Sequence, residues 1–134
     1  MSTYADTSAL AKLLVAEAES SQLADHLNAV VSAGGSISSS SLAETELRRL
    51  AVRRGVEQTR VTALLQRVDL AEPDRALFTE AGLLPDASLR SLDALHLATA
   101  LRLSADVVVA YDVRLLAAAT RLGLPTLSPG WETP

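Results

Sequence analysis

The sequence predicts an α/β fold of three layers, with helices on both faces of a central, mainly parallel sheet. Three observations carry this. Helical and strand-like segments alternate along the chain. The run Asp106-Val107-Val108-Val109-Ala110 is the continuous apolar stretch of a parallel strand buried on both faces. Glycine or proline stands at several of the boundaries between segments, where turns are needed.

The elements follow in order. Ser2 to Ala5 reads as a first strand running into Asp6. Asp6-Thr7-Ser8 opens an apolar helix over Ala9 to Glu17, with Leu10, Leu13 and Leu14 on one face. A second helix spans Glu19 to Ala33, with Leu23, Leu27, Val30 and Val31 at helical spacing, and Gly34-Gly35 ends it. Ser36 to Ser39 is a strand by its place between two helices. Ser41 to Arg54 is a helix stopped by Gly55, and Glu57 to Gln66 continues helically. Arg67 to Leu70 is a short strand. Pro73 starts a helix that runs to Ala81. After a connector over Gly82 to Ser88, a helix spans Leu89 to Ser104. The strand at 106–110 leads through Tyr111-Asp112 into a helix ending at Leu122. Gly123 caps it, Pro125 to Leu127 forms an edge strand, and Ser128 to Pro134 is a tail or lid.

One domain with one core over residues 1–134 fits this length. Hydrophobic residues make up 49% of the chain but aromatics only 3%, so the core is built from Ala, Leu and Val. Cysteine is absent, which excludes disulfides, thiolate metal sites and cysteine nucleophiles, and fits a cytoplasmic location. No stretch has the length to span a bilayer, and no signal peptide is legible. The net charge of −4 argues weakly against a nucleic-acid partner. Against that, the cations are eleven Arg and one Lys, and arginine is the better grip on phosphate.

Asp93 stands out because the helix around it is apolar: Leu92-Asp93-Ala94-Leu95-His96-Leu97-Ala98. A half-buried carboxylate needs a partner, a hydrogen bond or a metal. Asp6, Glu44 and Asp112 each follow a predicted strand, and parallel strands end on one edge of a sheet, where such folds place their sites. Each acid also has a purely structural role open to it. Asp6 and Asp112 suit N-caps. Glu44 stands three residues after Ser41, the spacing of a capping box, and four before Arg48, the spacing of a helical ion pair. Asp93 suits the helix dipole and pairs with Arg90. Jointly the four repel unless cations hold them together. All-oxygen ligands point to Mg²⁺ or Mn²⁺, and such a site polarises a phosphodiester and activates water.

Four segments carry a resemblance. Tyr4-Ala5-Asp6-Thr7-Ser8-Ala9-Leu10, Ser40-Ser41-Leu42-Ala43-Glu44, Leu92 to Ala98 and Tyr111-Asp112-Val113-Arg114-Leu115 resemble the four motifs of PIN domains, and most nearly the VapC-type toxins of bacterial toxin–antitoxin pairs. The resemblance spans nearly the whole chain, in order and spacing. It implies a PIN-like fold and a metal-dependent endoribonuclease leaving a 5′-phosphate and a 3′-hydroxyl. It implies Mg²⁺ or Mn²⁺ held by Asp6, Glu44, Asp93 and Asp112, a homodimer, and a cognate antitoxin that covers or fills the site. Thr7 and Ser8 match the small hydroxyl residues after the first acid. One position departs: many relatives carry Thr or Ser where this chain has Ala110, and loss of that hydroxyl weakens or alters metal binding if it helps hold a metal-bound water.

Arg48, Arg49, Arg53 and Arg54 form a basic face that contacts RNA phosphates or pairs with neighbouring acids. Arg90 and Arg114 stand beside two of the acids and either bind the scissile phosphate or balance a carboxylate. His96, one turn after Asp93, is read as a packing residue, and His26 as a surface residue. Aspartyl-phosphate chemistry at Asp6 fits poorly: a phosphatase of the haloacid-dehalogenase type needs a second Asp where Ser8 stands, and a receiver domain needs a late Lys where the one lysine is Lys12. The competing reading from another class is a non-catalytic module that engages RNA or a protein.

Overall fold

Five parallel strands form the sheet, in the order β3-β2-β1-β4-β5, and a computed structural model describes this architecture over residues 1–131. The strands are β1 (Ser2–Ala5), β2 (Ser36–Ser40), β3 (Asp69–Ala71), β4 (Val107–Val109) and β5 (Thr126–Leu127). The helices are α1 (Thr7–Ala11), α2 (Ser20–Ser32), α3 (Leu42–Arg54), α4 (Gln58–Leu65), α5 (Arg75–Gly82), α6 (Ser91–Arg102) and α7 (Val113–Arg121). All five strands of the predicted pattern form, and every pairing is parallel.

The central strands alternate faces with period two. Ala5, Val109 and Tyr111 join Ile37 and the apolar sides of α1 to α4 in one core. Tyr4, Val108 and Ala110 point the other way, into a core with Leu97 and Ala100 of α6 and Leu115, Ala118 and Ala119 of α7. A third cluster joins Leu77 and Ala81 of α5 to Ala94, Leu95 and Ala98 of α6. Helices therefore cover both faces of the sheet, as the alternating pattern requires.

Chain order decides where a site can form. From β1 the chain steps outward through β2 to β3, then returns to place β4 on the other side of β1. The crossover direction reverses between β1 and β4, which opens a crevice at their carboxyl ends. Asp6 and Asp112 follow those two strands, and the Asp6 backbone N–H donates to the Val109 carbonyl at 3.2 Å.

Several boundaries differ from the sequence pattern. Helix α1 stops at Ala11 instead of Glu17, in consecutive i→i+3 turns at Lys12, Leu13 and Leu14. Ser20 fixes this turn: its Oγ donates to the Lys12 carbonyl at 2.7 Å and accepts from Glu17 N at 2.9 Å. Val31 lies on the exposed side of α2 rather than in the core. Pro73 precedes α5, and Asp74 caps that helix by accepting from Leu77 N at 2.8 Å. The described part of the tail is tied down: the Tyr111 hydroxyl donates to the Pro129 carbonyl at 2.6 Å, and the Tyr111 and Trp131 rings meet edge to face at 5.4 Å. The rest of the predicted lid, residues 132–134, lies outside the described residues.

Candidate active site

Asp6 ends β1 and caps α1. Its Oδ1 accepts from the Ala9 N–H at 3.0 Å and from Ser8 Oγ at 2.7 Å. Only 4% of the residue is exposed. Burial pushes its carboxyl up to about 6; the Ser8 bond, the His96 ring and the Ala9 amide oppose the rise, and the charge of Asp112 adds to it. Asp112 repeats the arrangement at the end of β4: its Oδ1 accepts from the Arg114 and Leu115 amides at 2.9 and 3.1 Å. Capping, the structural role open to these two acids, is therefore real. Yet in each it uses Oδ1 and leaves Oδ2 without a protein hydrogen bond among the described residues.

Asp93 lies in the first turn of α6, half-buried. Burial raises its carboxyl first and the charge of Asp112 second. Glu46 adds to the rise, while His96 and Arg90 oppose it. Asp93 and Asp6 thus both feel Asp112, so the crevice gathers mutually repelling carboxylates.

From α3, Glu46 comes within electrostatic reach of Asp93. Its Oε1 accepts from Thr7 Oγ1 at 2.8 Å and lies 2.9 Å from His96 Nε2. Burial works to raise the Glu46 carboxyl, but the bonds from His96 and Thr7 outweigh it and the net shift is downward. Glu44 lies two residues away, about 200° around the helix. Its Oε2 accepts from Arg48 Nε at 2.8 Å, and Arg48 also reaches Gln58 Oε1 and Thr62 Oγ1 of α4, both at 3.1 Å. The Glu44 side chain, read from the sequence as the fourth site acid, is thus tied through Arg48 to the α3–α4 contact, while Glu46 is the α3 acid whose charge reaches Asp93. The capping box does not form either, since Ser41 makes no side-chain cap. A usable signal was present in the sequence: Arg48 already answers Glu44 at i+4, whereas the residue four beyond Glu46 is Leu50.

The other candidates divide. Thr7 and Ser8 hold carboxylates, Glu46 and Asp6 respectively, and Ser8 Oγ also accepts from the Tyr111 N–H at 2.9 Å. Arg48 belongs to the α3–α4 tie. Arg90 and Arg114 are exposed beside Asp93 and Asp112, where a phosphate can meet them. Ala110 is fully buried in the second core, so its methyl is a packing group. His96, read as packing, is buried but bonds at both ring nitrogens.

Among the described residues no three acidic or histidine side chains converge closely enough to hold an ion unaided. The donor set nevertheless fits a hard cation. It is all oxygen, and Asp6, Asp112 and Glu46 each keep one oxygen uncommitted. Mg²⁺ is held in this way, by one or two carboxylates, retained waters and substrate phosphate oxygens.

Known proteins share this architecture. Ribonuclease VapC47 of Mycobacterium tuberculosis is 37% identical over 95% of this chain and 96% of its own length. Ribonuclease VapC35 of the same species is 39% identical over 95% and 96%. Three solved structures share the fold. M. tuberculosis VapC20, described as a toxin cleaving the sarcin–ricin loop, aligns with a TM-score of 0.68 at 18% identity, over 87% of this chain and 94% of that one. VapBC2 of Rickettsia felis, bound to a DNA fragment from its promoter, gives 0.70 at 14% identity over 96% and 99%. FitAB bound to DNA gives 0.70 at 15% over 98% of each chain. The PIN domain model matches residues 3–121, which takes in all four acids of the crevice. With its fold, its relatives and its acidic crevice in agreement, the chain belongs to the PIN-domain family, in the group of VapC ribonucleases.

Proposed function

We propose that the chain is a divalent-metal-dependent endoribonuclease and the toxin of a toxin–antitoxin pair. The observation that carries this reading is the crevice between β1 and β4. There Asp6, Asp112 and Glu46 each commit one carboxylate oxygen to the protein and keep the other, with Asp93 beside them. The names of the relatives supply the substrate class, RNA.

Asp6, Glu46, Asp93 and Asp112 would hold Mg²⁺ or Mn²⁺, one or two of them directly and the others through retained waters, and Glu46 takes the place that the sequence pattern gives to Glu44. When bound, the ion supplies Lewis-acid polarisation of the phosphodiester and a nucleophilic water at neutral pH. The chain's own contribution is positioning. The two caps fix Asp6 and Asp112 on rigid strand ends, and Thr7 and His96 fix Glu46. Arg90 and Arg114 orient the phosphate from the rim. A cation is needed for RNA to approach at all, because the crevice is otherwise a concentration of negative charge. The partners of this reading are RNA, a second copy of the chain, and an antitoxin encoded in a neighbouring reading frame. Among the described residues no helix is long and apolar enough to cross a membrane.

The test is cleavage of total RNA by the purified, partner-free chain with Mg²⁺, Mn²⁺ or EDTA, beside Asp6→Asn and Asp93→Asn. Discrete products ending in 5′-phosphate and 3′-hydroxyl, dependent on metal and absent in both variants, are expected. A folded chain that neither binds metal nor cleaves RNA would move the reading to a binding module.

A further inference from the structure

We propose that Tyr4 and His96 form a positioning relay that fixes the Glu46 carboxylate for the cation. The inference rests on the site reading above and assigns a task to two residues that the site's acids leave unexplained.

Four segments meet in this relay. Tyr4 lies on the central strand β1, fully buried, and its hydroxyl is 2.7 Å from His96 Nδ1. His96 lies on α6, 2% exposed, its ring edge-on to the Tyr4 ring with centroids 6.0 Å apart. Its Nε2 is 2.9 Å from Glu46 Oε1 on α3. Thr7, at the start of α1, donates to the same oxygen at 2.8 Å and lies 3.3 Å from Nε2.

The hydrogen positions follow from the chemistry of the partners. A carboxylate only accepts, so Nε2 carries a hydrogen and donates it to Glu46. Nδ1 is then free to accept from the Tyr4 hydroxyl. Tyr4 thereby selects the tautomer, as the outer partner of a ligand-side histidine does in metal sites. The opposite tautomer would set a lone pair of Nε2 against a lone pair of Oε1.

Glu46 needs such support more than the aspartates do. Asp6 and Asp112 are short, and their own helix amides hold them. Glu46 has a longer side chain with more rotamer freedom to lose, and it sits in the middle of a helix where no free amide reaches it. Two external donors on Oε1 immobilise the group and leave Oε2 as the oxygen for the ion. The neighbours of His96 on α6, Leu95 and Leu97, are apolar core residues, so packing of the helix alone does not call for an imidazole between them.

The experiment measures Mn²⁺ binding to the partner-free chain by calorimetry for wild type, His96→Leu, His96→Gln, Tyr4→Phe and Asp6→Asn. In parallel, ¹⁵N NMR of the metal-free chain reads the His96 tautomer. The relay predicts that His96→Leu weakens Mn²⁺ binding about 10–100-fold. His96→Gln, whose amide can donate to Glu46, recovers most of the loss. Tyr4→Phe falls between wild type and His96→Leu. In cleavage assays the loss appears in kcat rather than in the KM for RNA, and Nε2 is protonated in the NMR spectrum. Wild-type affinity in His96→Leu, with affinity lost in Asp6→Asn, overturns the relay and leaves the site intact. Unchanged affinity in Asp6→Asn, or no Mn²⁺ binding by wild type, overturns the site reading itself. If His96→Leu does not fold, Tyr4→Phe and the tautomer decide: wild-type affinity in Tyr4→Phe, or a hydrogen on Nδ1 alone, overturns the relay.

Discussion

Burial holds the Asp6 carboxyl near a pKa of about 6 instead of 3.8. The folded state therefore keeps this proton more firmly than the unfolded state. The stability it contributes is fully present below the unfolded value and is lost as pH rises through about 6. In the metal-free chain Asp6→Asn keeps the cap, because Asn is an equally good N-cap, but it never ionises. We expect the variant to be more stable than wild type by about 1–3 kcal/mol at pH 7, with the difference shrinking toward pH 4. Denaturant titrations at the two pH values check this; a variant less stable at pH 7 would show that Asp6 serves the fold rather than the ion. The other lesson at this scale is Glu44 against Glu46. Both stand in the right stretch, just after β2, and the motif resemblance favoured the first. What distinguishes them is a rotation around α3, which depends on how that helix packs against α1 and α4. Asp6, Asp93 and Asp112 stand out in the sequence because a carboxylate at a strand end or in an apolar helix has few partners within its own segment, and the structure places Asp6 and Asp93 both within electrostatic reach of Asp112.

At the scale of elements, the link between α2 and β2 shows how little room the backbone has. Gly34 takes a left-handed φ of 86°, which ends α2, and Gly35 passes close to the start of β1. A Cβ at Gly35 would lie 2.7 Å from the Met1 carbonyl oxygen and 2.8 Å from Val30 Cγ1. The backbone oxygen cannot retreat without moving β1, since it also accepts from Ser36 N at 3.0 Å. Gly35→Ala should therefore cost about 1–3 kcal/mol of stability. A denaturation midpoint unchanged by the substitution would contradict the close approach. Most element types were readable because their hydrophobic periods were clear; the serine-rich β2 was readable only from its place between two helices. The boundaries were less so. The early end of α1 depends on Ser20, nine residues beyond its last residue, and no local propensity encodes that contact.

For the whole molecule, the strand order makes the site. Reversal of the crossover between β1 and β4 sets Asp6 and Asp112 side by side, and α3 and α6 bring Glu46 and Asp93 from opposite faces of the sheet. Cores on both faces anchor these elements, so the carboxylates are held together despite their repulsion. A divalent ion that relieves the repulsion must stabilise the fold. At a hundred times its dissociation constant, Mn²⁺ should add about 2.7 kcal/mol. Thermal melts should rise with Mn²⁺ in wild type and much less in Asp93→Asn; equal rises in both would place the ion elsewhere. Alternation of segments made the layers legible in the sequence, and the acids that follow predicted strands marked one edge of the sheet. The pairing order itself, and with it the flank of α3 that faces the crevice, became visible only in three dimensions.

The most direct test of the account compares Glu46→Gln with Glu44→Gln in metal-dependent RNA cleavage, with folding checked by circular dichroism. Glu46→Gln should lose activity by at least about a hundredfold, as loss of a ligating carboxylate does, while Glu44→Gln should stay within a few-fold of wild type. Loss in Glu44→Gln with activity kept in Glu46→Gln would contradict the site described here.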